Sequence, residues 1–296
     1  MIAVMGASGH TGKRIAEQLL KTGEKVRAIG RSADKLKALK DAGAETAIGD
    51  ASDAAFLTKA FTGAEAVYTL LPPDPQASDY RAQQDRQGEA IIQAIRASGV
   101  RYVVFLSSLG GDLPSGTGPI AGLHAQEERL RQLPSTNVLI LRPGYFFENF
   151  YETLDLIKNQ GINGGAIAPD VPIPMIATRD IADAAAEALK SRNFKGVVVR
   201  ELHGPRDLTQ AEATRILGER IGKPDLKYVQ FPYADFVSAL TGMGMSRSMA
   251  ELLAEMSRAL NEGKIQSREG RTPANTTPTR FEDFAHELAD SWSARS

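Results

Sequence analysis

The stretch MIAVMGASGHTGKRIAEQLL, residues 1–20, decides the fold, because glycines follow a short apolar run there and open a helical pattern. They are Gly6, Gly9 and Gly12, spaced three apart after the predicted strand Ile2–Met5. In such a loop Gly6 permits a tight turn, Gly9 lets a pyrophosphate approach the backbone, and Gly12 lets the helix pack closely on the sheet. The free amide groups at the helix N-terminus face the anion. The pattern favours a dinucleotide-binding loop over a turn with incidental glycines, and the other loop residues expected to contact the ligand are Ser8, His10 and Thr11.

The first half of the chain continues this alternation of short apolar runs and amphipathic helical patterns. The apolar runs lie at residues 2–5, 26–29, 66–71, 102–106 and 138–141, and a further strand is expected before Asp50. The helical patterns lie near residues 11–22, 33–42, 53–61, 80–98 and 122–132. This alternation predicts an α/β fold, a Rossmann-type doubly wound parallel sheet with helices on both faces. Such a sheet binds its ligand at the carboxyl ends of the strands.

The composition argues against several classes of function. Lysine plus arginine number 35 and aspartate plus glutamate 36, a balance that gives no basic surface for nucleic acid or an anionic membrane. The chain has no cysteine, which removes disulfides, thiolate metal sites and cysteine nucleophiles. Its four histidines show no ligand spacing with carboxylates, so no metal site is expected. No run approaches the roughly 18 apolar residues of a membrane span, and we expect a cytoplasmic protein.

The second predicted strand, within KVRAIGRSADKL, indicates which dinucleotide is preferred. An NAD site usually has a carboxylate at the end of this strand, which accepts a hydrogen bond from the ribose 2′-hydroxyl. Here the strand ends at Gly30, Arg31 and Ser32, without a carboxylate. Arg31 can bind a 2′-phosphate in a bidentate manner, and Lys35 lies one turn into the next helix. The sequence therefore predicts NADP(H) in preference to NAD(H); in the alternative, Ser32 only caps the helix and Arg31 is solvated.

The pattern changes after LRPGYFFENF. Three elements are predicted next: a helix near 147–159, a helix over TRDIADAAAEALKS capped by Asp180, and a strand over GVVVREL. From about residue 205 the chain is mostly helical, with a polar loop, SREGRTPANTTPTR, before a last helix near 280–292. We therefore expect an NAD(P)-binding Rossmann domain, 1–142, with further pieces of its sheet near 176–204. Residues 143–175 and 205–296 are expected to form a smaller, mostly helical substrate-binding part.

Four segments resemble the NmrA-like branch of the atypical short-chain dehydrogenase/reductase family: GASGHTG, VVFLSSLGG, ILRPGYFFEN and IATRDIADAAAEAL. The resemblance covers most of the chain and weakens after about residue 205. It implies either a quinone or triphenylmethane-dye reductase that uses NADPH, or a redox-sensing regulator without catalysis. It also implies that Asp50 contacts the adenine amino group, unless Asp50 and Ser52 only cap the next helix. By the same resemblance, the backbone of Arg142, Pro143 and Gly144 lies beside the nicotinamide.

The catalytic residues of typical members of that larger family are mostly replaced here. Those members use a serine after the fifth strand, for which Ser107 is the candidate in catalysis and cofactor binding, and a Tyr-x-x-x-Lys pair in the next helix. In the helix PIAGLHAQEERL, Ile120 takes the tyrosine position and His124 the lysine position. The typical carbonyl reduction is therefore not expected. His124 is the candidate to bind the nicotinamide ribose or to donate a proton, unless it is an ordinary helix histidine, and Glu128 is expected to be a solvated charge.

Apolar and aromatic residues are expected to form the rest of the pocket. Leu70, Leu71 and Pro72 end the fourth strand and should flank the cofactor ribose. After the sixth strand, the sequence favours a wall on which a planar acceptor stacks against the nicotinamide, formed by Tyr145, Phe146, Phe147 and Asn149. In the alternative, these side chains only pack the start of the following helix.

The sequence therefore predicts an NADPH-dependent reductase that transfers hydride to a quinone or a similar planar conjugated acceptor. A non-catalytic NADP(H)-binding redox sensor is the alternative, and an isoflavone-reductase-like enzyme is a weaker one. The expected partner is a small planar molecule, with no nucleic acid and no membrane. The sequence permits either a monomer or a homodimer.

Overall fold

A computed structural model describes residues 1–295, and its centre is a sheet of seven parallel strands. The strands are β1 Ile2–Val4, β2 Val26–Gly30, β3 Glu45–Ile48, β4 Ala66–Thr69, β5 Tyr102–Leu106, β6 Asn137–Pro143 and β10 Val197–Leu202. They lie in the order β3-β2-β1-β4-β5-β6-β10. The chain thus winds outward in both directions from the β1–β4 pair, which is the doubly wound Rossmann arrangement. The predicted fold class is confirmed.

Six helices cover the two faces of this sheet. They are α1 His10–Lys21, α2 Ala33–Asp41, α3 Ala54–Phe61, α4 Tyr80–Ser98, α5 Ile120–Arg131 and α7 Thr178–Ser191. Successive strand residues point to opposite faces, so Ile2 and Val4 pack with α1, α2 and α7, whereas Ala3 packs with α3, α4 and α5. Both faces of the sheet are therefore apolar and buried, as a parallel sheet requires.

The remaining elements form a layer at the carboxyl end of the sheet. They are β7 Tyr145–Phe146, a 3₁₀ helix Phe147–Tyr151, α6 Leu154–Gln160, β8 Asn163–Gly165, β9 Ile173–Ile176, β11 Asp207–Leu208, α8 Gln210–Arg220, β12 Tyr228–Gln230, α9 Tyr233–Gly242, α10 Arg247–Asn261 and α11 Phe281–Arg295. Two small sheets, β11-β9-β7 and β12-β8, lie in this layer, which has an apolar core of its own. The division of the chain at residue 142 stays a prediction. Within the described residues, no helix is long and apolar enough to cross a membrane.

Two local predictions were wrong. The helix expected near 147–159 is interrupted, because the 3₁₀ helix buries Phe147 and Phe150, three residues apart, before α6 begins. Asp180 does not cap α7, because its carboxylate accepts hydrogen bonds from the backbone and hydroxyl of Thr279 at 3.0 and 2.7 Å. The start of α7 is instead held by Glu148, whose carboxylate accepts from the Thr178 N–H at 3.0 Å.

Candidate functional site

A cavity of about 690 Å³ lies at the carboxyl ends of the central strands, where a Rossmann sheet binds its ligand. Its volume is that of an ordinary small-molecule site. The loops after β1, β2, β3 and β4 form one side, and α4, α5, α10 and the segment after β6 form the other. Sequence reasoning placed the ligand at this edge of the sheet, and the cavity lies there.

The glycine loop after β1 has the shape of an anion cradle. Gly6 adopts a φ of +63°, in the left-handed region that favours glycine. A Cβ on Gly12 would lie 2.3 Å from the Gly6 carbonyl oxygen, so only glycine allows this close approach. Helix α1 has no side-chain cap and no acidic residue in its first turn, so its free N–H groups and positive dipole end face the cavity. The residues of this loop that line the cavity are Gly6, Ser8, Gly9, His10 and Thr11. A pyrophosphate fits this wall.

The end of β2 supports both interpretations of Arg31 and Ser32. Ser32 caps α2, because its Oγ accepts a hydrogen bond from the Lys35 N–H at 3.4 Å. Arg31 lies on the cavity wall at the same time, with its side chain exposed and its charge available to a phosphate. Lys35 is exposed on α2 and does not line the cavity. Of the two cations predicted to contact the cofactor, Arg31 therefore lies on the cavity wall and Lys35 does not.

Asp50 also lies on the cavity wall, next to the end of β3. Its Oδ1 accepts a hydrogen bond from the Ser52 N–H at 2.6 Å, which fixes the turn. Neither Asp50 nor Ser52 caps α3, since Asp53 does so by accepting from the Phe56 N–H at 2.9 Å. The second carboxylate oxygen of Asp50 makes no hydrogen bond to residues 1–295 and can accept one from a ligand.

The end of β4 flanks the cavity as predicted, and α4 adds a wall that the sequence did not reveal. Leu70, Leu71 and Pro72 all line the cavity. Gln87 of α4 is 5% exposed and donates its side-chain N–H to the Pro72 carbonyl at 3.0 Å. The residues of α4 that line the cavity are Tyr80, Gln83, Gln84 and Gln87. Their spacing follows one helical face, but polar residues on a long helix carry no signal that they face a ligand.

A buried charge network lies beneath the cavity at the ends of β5 and β6. Glu127 accepts a hydrogen bond from the Ser107 Oγ at 2.6 Å, and two from the Arg142 guanidinium at 2.9 and 2.5 Å. Burial opposes the charge of Arg142, but the bonds and charge of Glu127 outweigh it and raise the pKa of the guanidinium. Arg142 is thus held by Glu127 and does not line the cavity. Pro143 does not line it either, whereas Gly144 does. Ser107 does line it, with its hydroxyl proton directed to Glu127.

The sequence did not reveal Glu127, because it stands beside a second glutamate. Glu128 carries a side chain that is 53% exposed and pairs with Arg131, as expected of a solvated charge. The Glu127 side chain is 1% exposed. The two carboxylates differ because the orientation of α5 about its axis turns Glu127 toward the sheet and Glu128 toward solvent.

The same orientation of α5 sets where the two positions predicted for catalysis lie. Pro119, Ile120 and Leu123 line the cavity, but His124 does not. The His124 Nδ1 lies 2.9 Å from the Gly111 carbonyl oxygen instead. Ile120 therefore lies on the cavity wall, whereas His124 is hydrogen-bonded outside the lining, and the role predicted for His124 stays a prediction. None of Pro119, Ile120 and Leu123 can transfer a proton.

The predicted aromatic wall is present in part. Tyr145, Phe146 and Asn149 line the cavity. Phe147 does not, because it is 1% exposed in the second core and packs edge-on to Phe281, with ring centroids 5.1 Å apart. Burial raises the pKa of Tyr145 to about 12, with Asn149 among its hydrogen-bond partners, so its phenol stays neutral.

Helix α10 closes the cavity opposite this wall. Met249, Leu253 and Met256 line the cavity from one face of the helix. The helix is tied to the chain around the cavity by hydrogen bonds from the Ser246 N–H to the Pro75 carbonyl at 2.8 Å and from the Tyr80 N–H to the Ser248 Oγ at 3.0 Å. A third runs from the Gly118 N–H to the Glu255 Oε1 at 3.2 Å. The sequence predicted helices here, but not which one covers the ligand.

In the part of the chain that the structure describes, no three or more histidine, aspartate or glutamate side chains are grouped to hold an ion. The cavity instead joins a glycine-rich anion cradle to an apolar and aromatic chamber.

The fold and the cavity together define a Rossmann-type nucleotide-binding protein. The chain belongs to the NmrA-like family, whose sequence profile matches residues 1–285. It is 30% identical over 269 residues to quinone oxidoreductase 2 of Escherichia coli (strain K12), covering 90% of each chain. It is 28% identical over 258 residues to the NAD(P)H azoreductase of Xenophilus azovorans, covering 86% of each. The crystal structure of an NADPH-dependent quinone oxidoreductase from Escherichia coli, complexed with NADPH, matches with a TM-score of 0.82 at 26% identity, over 97% of this chain and 99% of that one. The predicted family is confirmed.

Proposed function

We propose that the protein is a reductase that transfers hydride from NADPH to a quinone or a similar planar conjugated acceptor, without a Tyr-x-x-x-Lys pair. The observation that carries the proposal is the cavity itself. It places the glycine cradle and Arg31 on one side and an apolar chamber under α10 on the other. A cofactor and a second molecule can therefore meet within one cavity.

The relatives support the class of enzyme and the cofactor. Two of them are a quinone oxidoreductase and an NAD(P)H azoreductase, and the solved quinone oxidoreductase contains NADPH. The chain is accordingly an oxidoreductase that uses a nicotinamide cofactor, with NADP(H) as the preferred form. Quinones and azo compounds are both planar and conjugated, so the relatives agree with the acceptor class as well.

The residues present fit NADPH for two reasons. The backbone of Gly6 approaches position 12 so closely that only glycine is allowed there, and the first amide groups of α1 have no side-chain cap. Those amides would hold the pyrophosphate and Arg31 the 2′-phosphate. Asp50 would accept a hydrogen bond from the adenine amino group, and Leu70–Pro72 would flank a ribose. The backbone at Gly144 would lie beside the nicotinamide. When bound, the cofactor supplies hydride at the nicotinamide C4.

The chain's own contribution to the reaction is position and exclusion of water. Leu123, Met249 and Leu253 bound the acceptor end with apolar surface, and Tyr145 and Phe146 add aromatic rings. Such walls favour a flat, apolar acceptor over a sugar or a charged substrate. Hydride transfer needs the acceptor within about 3–3.5 Å of the donor carbon, and these walls would hold the acceptor beside the nicotinamide.

A non-catalytic redox sensor is the second candidate, and one observation favours it. The face of α5 that lines the cavity carries Pro119, Ile120 and Leu123, none of which can act as an acid or base. A quinone needs no enzymatic base for reduction, so this face is compatible with the reductase as well.

Turnover with a panel of acceptors separates the two candidates. We expect the wild-type protein to oxidise NADPH in the presence of benzoquinone, menadione or an azo dye, followed by the loss of NADPH absorbance. The variant Leu123→Trp fills the acceptor end, so it should retain NADPH binding and lose the reductase activity. Wild-type protein that binds NADPH but reduces no acceptor would favour the sensor and overturn the proposal.

A further inference from the structure

Tyr80, the first residue of α4, lies at the acceptor end of the cavity. Tyr80 is one of the residues that line the cavity, and it is 4% exposed. Its backbone N–H donates to the Ser248 Oγ at 3.0 Å, at the start of α10. Met249, the next residue of α10, and Leu253, one turn further on, line the same cavity. The phenol therefore stands where α4 meets the helix that covers the acceptor.

The Tyr80 hydroxyl has no hydrogen-bond partner within residues 1–295, unlike the hydroxyls of the buried Tyr68 and the partly buried Tyr228. Tyr68 donates to the Thr11 Oγ1 at 2.9 Å, and Tyr228 to the Ile167 carbonyl at 2.8 Å. The Tyr80 oxygen is also absent from the polar atoms that are sealed inside the protein without a partner. A phenol that is almost fully buried needs a hydrogen-bond partner, and a molecule bound in the cavity can supply one.

The charge state of this phenol is set by its surroundings. Burial, and next to it the charge of Asp74, raise the pKa of Tyr80 to about 12. The hydroxyl therefore keeps its proton at neutral pH and can donate a hydrogen bond, but it is a poor acid for proton transfer.

We propose that Tyr80 binds the acceptor by donating a hydrogen bond to its carbonyl oxygen, a specificity role that rests on the proposed reductase function. The cavity face of α5 offers no phenol, so the donor comes from α4 instead. The bond polarises the carbonyl as hydride adds and strengthens as negative charge develops on the oxygen. Reduction of a quinone to a hydroquinone adds one hydride and one proton; the proton comes from water, and Tyr80 retains its own.

This role predicts a difference between two kinds of acceptor. A quinone presents an oxygen that Tyr80 can reach, whereas a cationic triarylmethane dye takes hydride at its central carbon and needs no hydrogen bond there. Loss of the hydroxyl should therefore affect the first kind and spare the second.

The test compares Tyr80→Phe with a matched control, Tyr102→Phe. Tyr102 packs edge-on to Phe194, with ring centroids 5.6 Å apart, and does not line the cavity. We expect Tyr80→Phe to lower kcat/KM for benzoquinone about tenfold, the size of one hydrogen bond, and to leave the KM for NADPH unchanged. The rate with the cationic dye should stay within about twofold of wild type, and the control should match wild type throughout. Equal losses with both acceptors, or none with benzoquinone, would overturn the proposal.

A binding measurement separates this proposal from the reductase function. Titration of the NADP⁺-loaded protein with hydroquinone, followed by calorimetry, requires no turnover. We expect about tenfold weaker binding to Tyr80→Phe than to wild type. If wild type reduces no acceptor, the reductase function fails, and the titration still decides the role of Tyr80. Equal affinity in both proteins, or no binding to wild type, would overturn it.

Discussion

Removal of Arg142 should destabilise the protein more than removal of the whole ion pair that it forms with Glu127. The two side chains are 9% and 1% exposed, and two hydrogen bonds, at 2.9 and 2.5 Å, join them. In Arg142→Leu the carboxylate stays buried and keeps only the Ser107 hydroxyl at 2.6 Å and the Arg131 guanidinium at 3.5 Å. A buried charge would then lack its main partner.

The magnitude follows from this burial. Removing one partner of a buried ion pair costs about 3–5 kcal/mol, because the other charge is left without compensation. Replacing both partners with apolar residues of similar volume is often close to neutral. We therefore expect Arg142→Leu to lower the free energy of unfolding by about 3–5 kcal/mol, and the double variant Glu127→Leu/Arg142→Leu by less than about 2 kcal/mol.

Urea unfolding at neutral pH, followed by circular dichroism, measures these differences. The neighbouring Glu128→Gln is the matched control, since that side chain is 53% exposed and should change stability by less than about 0.5 kcal/mol. A loss below about 1 kcal/mol in Arg142→Leu, or a double variant as unstable as the single one, would show that Glu127 is not left as an uncompensated buried charge.

Three further predictions concern the cofactor loop, the 2′-phosphate and a buried histidine. Arg31→Asp should weaken NADPH binding at least about tenfold and leave NADH binding nearly unchanged, as measured by fluorescence titration; equal losses would show that Arg31 does not contact the 2′-phosphate. Gly12→Ala places a Cβ 2.3 Å from the Gly6 carbonyl oxygen and should abolish tight NADPH binding, so wild-type affinity would contradict the loop geometry. Burial lowers the pKa of His203 from 6.5. Near and below pH 6.5 the folded protein therefore binds fewer protons than the unfolded chain, so the free energy of unfolding falls on acidification. Between about pH 7.5 and 5.5 wild type should lose up to about 1.4 kcal/mol more than His203→Gln, and equal losses in thermal or urea unfolding would contradict this assignment.

The parts of the fold that were predictable are those encoded locally. The glycine loop follows β1 and opens α1 within a dozen residues, and the alternation of apolar runs and helices is sufficient to define a doubly wound sheet. The order of the strands then places the ligand at their carboxyl ends. The capping of α2 by Ser32 was predictable for the same reason, because Ser32 bonds to a residue only three positions further along the chain.

The positions that the sequence did not reveal depend on contacts between distant segments. Phe147 packs in the second core because α11 brings Phe281 against it from more than a hundred residues away. His124 does not line the cavity, and its ring contacts the Gly111 carbonyl instead, 13 residues earlier in the chain. Tyr80 reaches the cavity because α10 folds over the start of α4. None of these packing partners can be identified from local periodicity, which shows that a helix has an apolar face but not what covers it.

Hydride transfer from NADPH in this cavity can be tested by a single turnover in the absence of oxygen. Purified protein is mixed with an equal amount of NADPH, the nicotinamide fluorescence is followed, and benzoquinone is then added. We expect the protein to enhance the nicotinamide fluorescence. On addition of the quinone this fluorescence should be lost much faster than in a mixture without protein. Enhanced fluorescence that persists through a panel of quinones would contradict hydride transfer in this cavity.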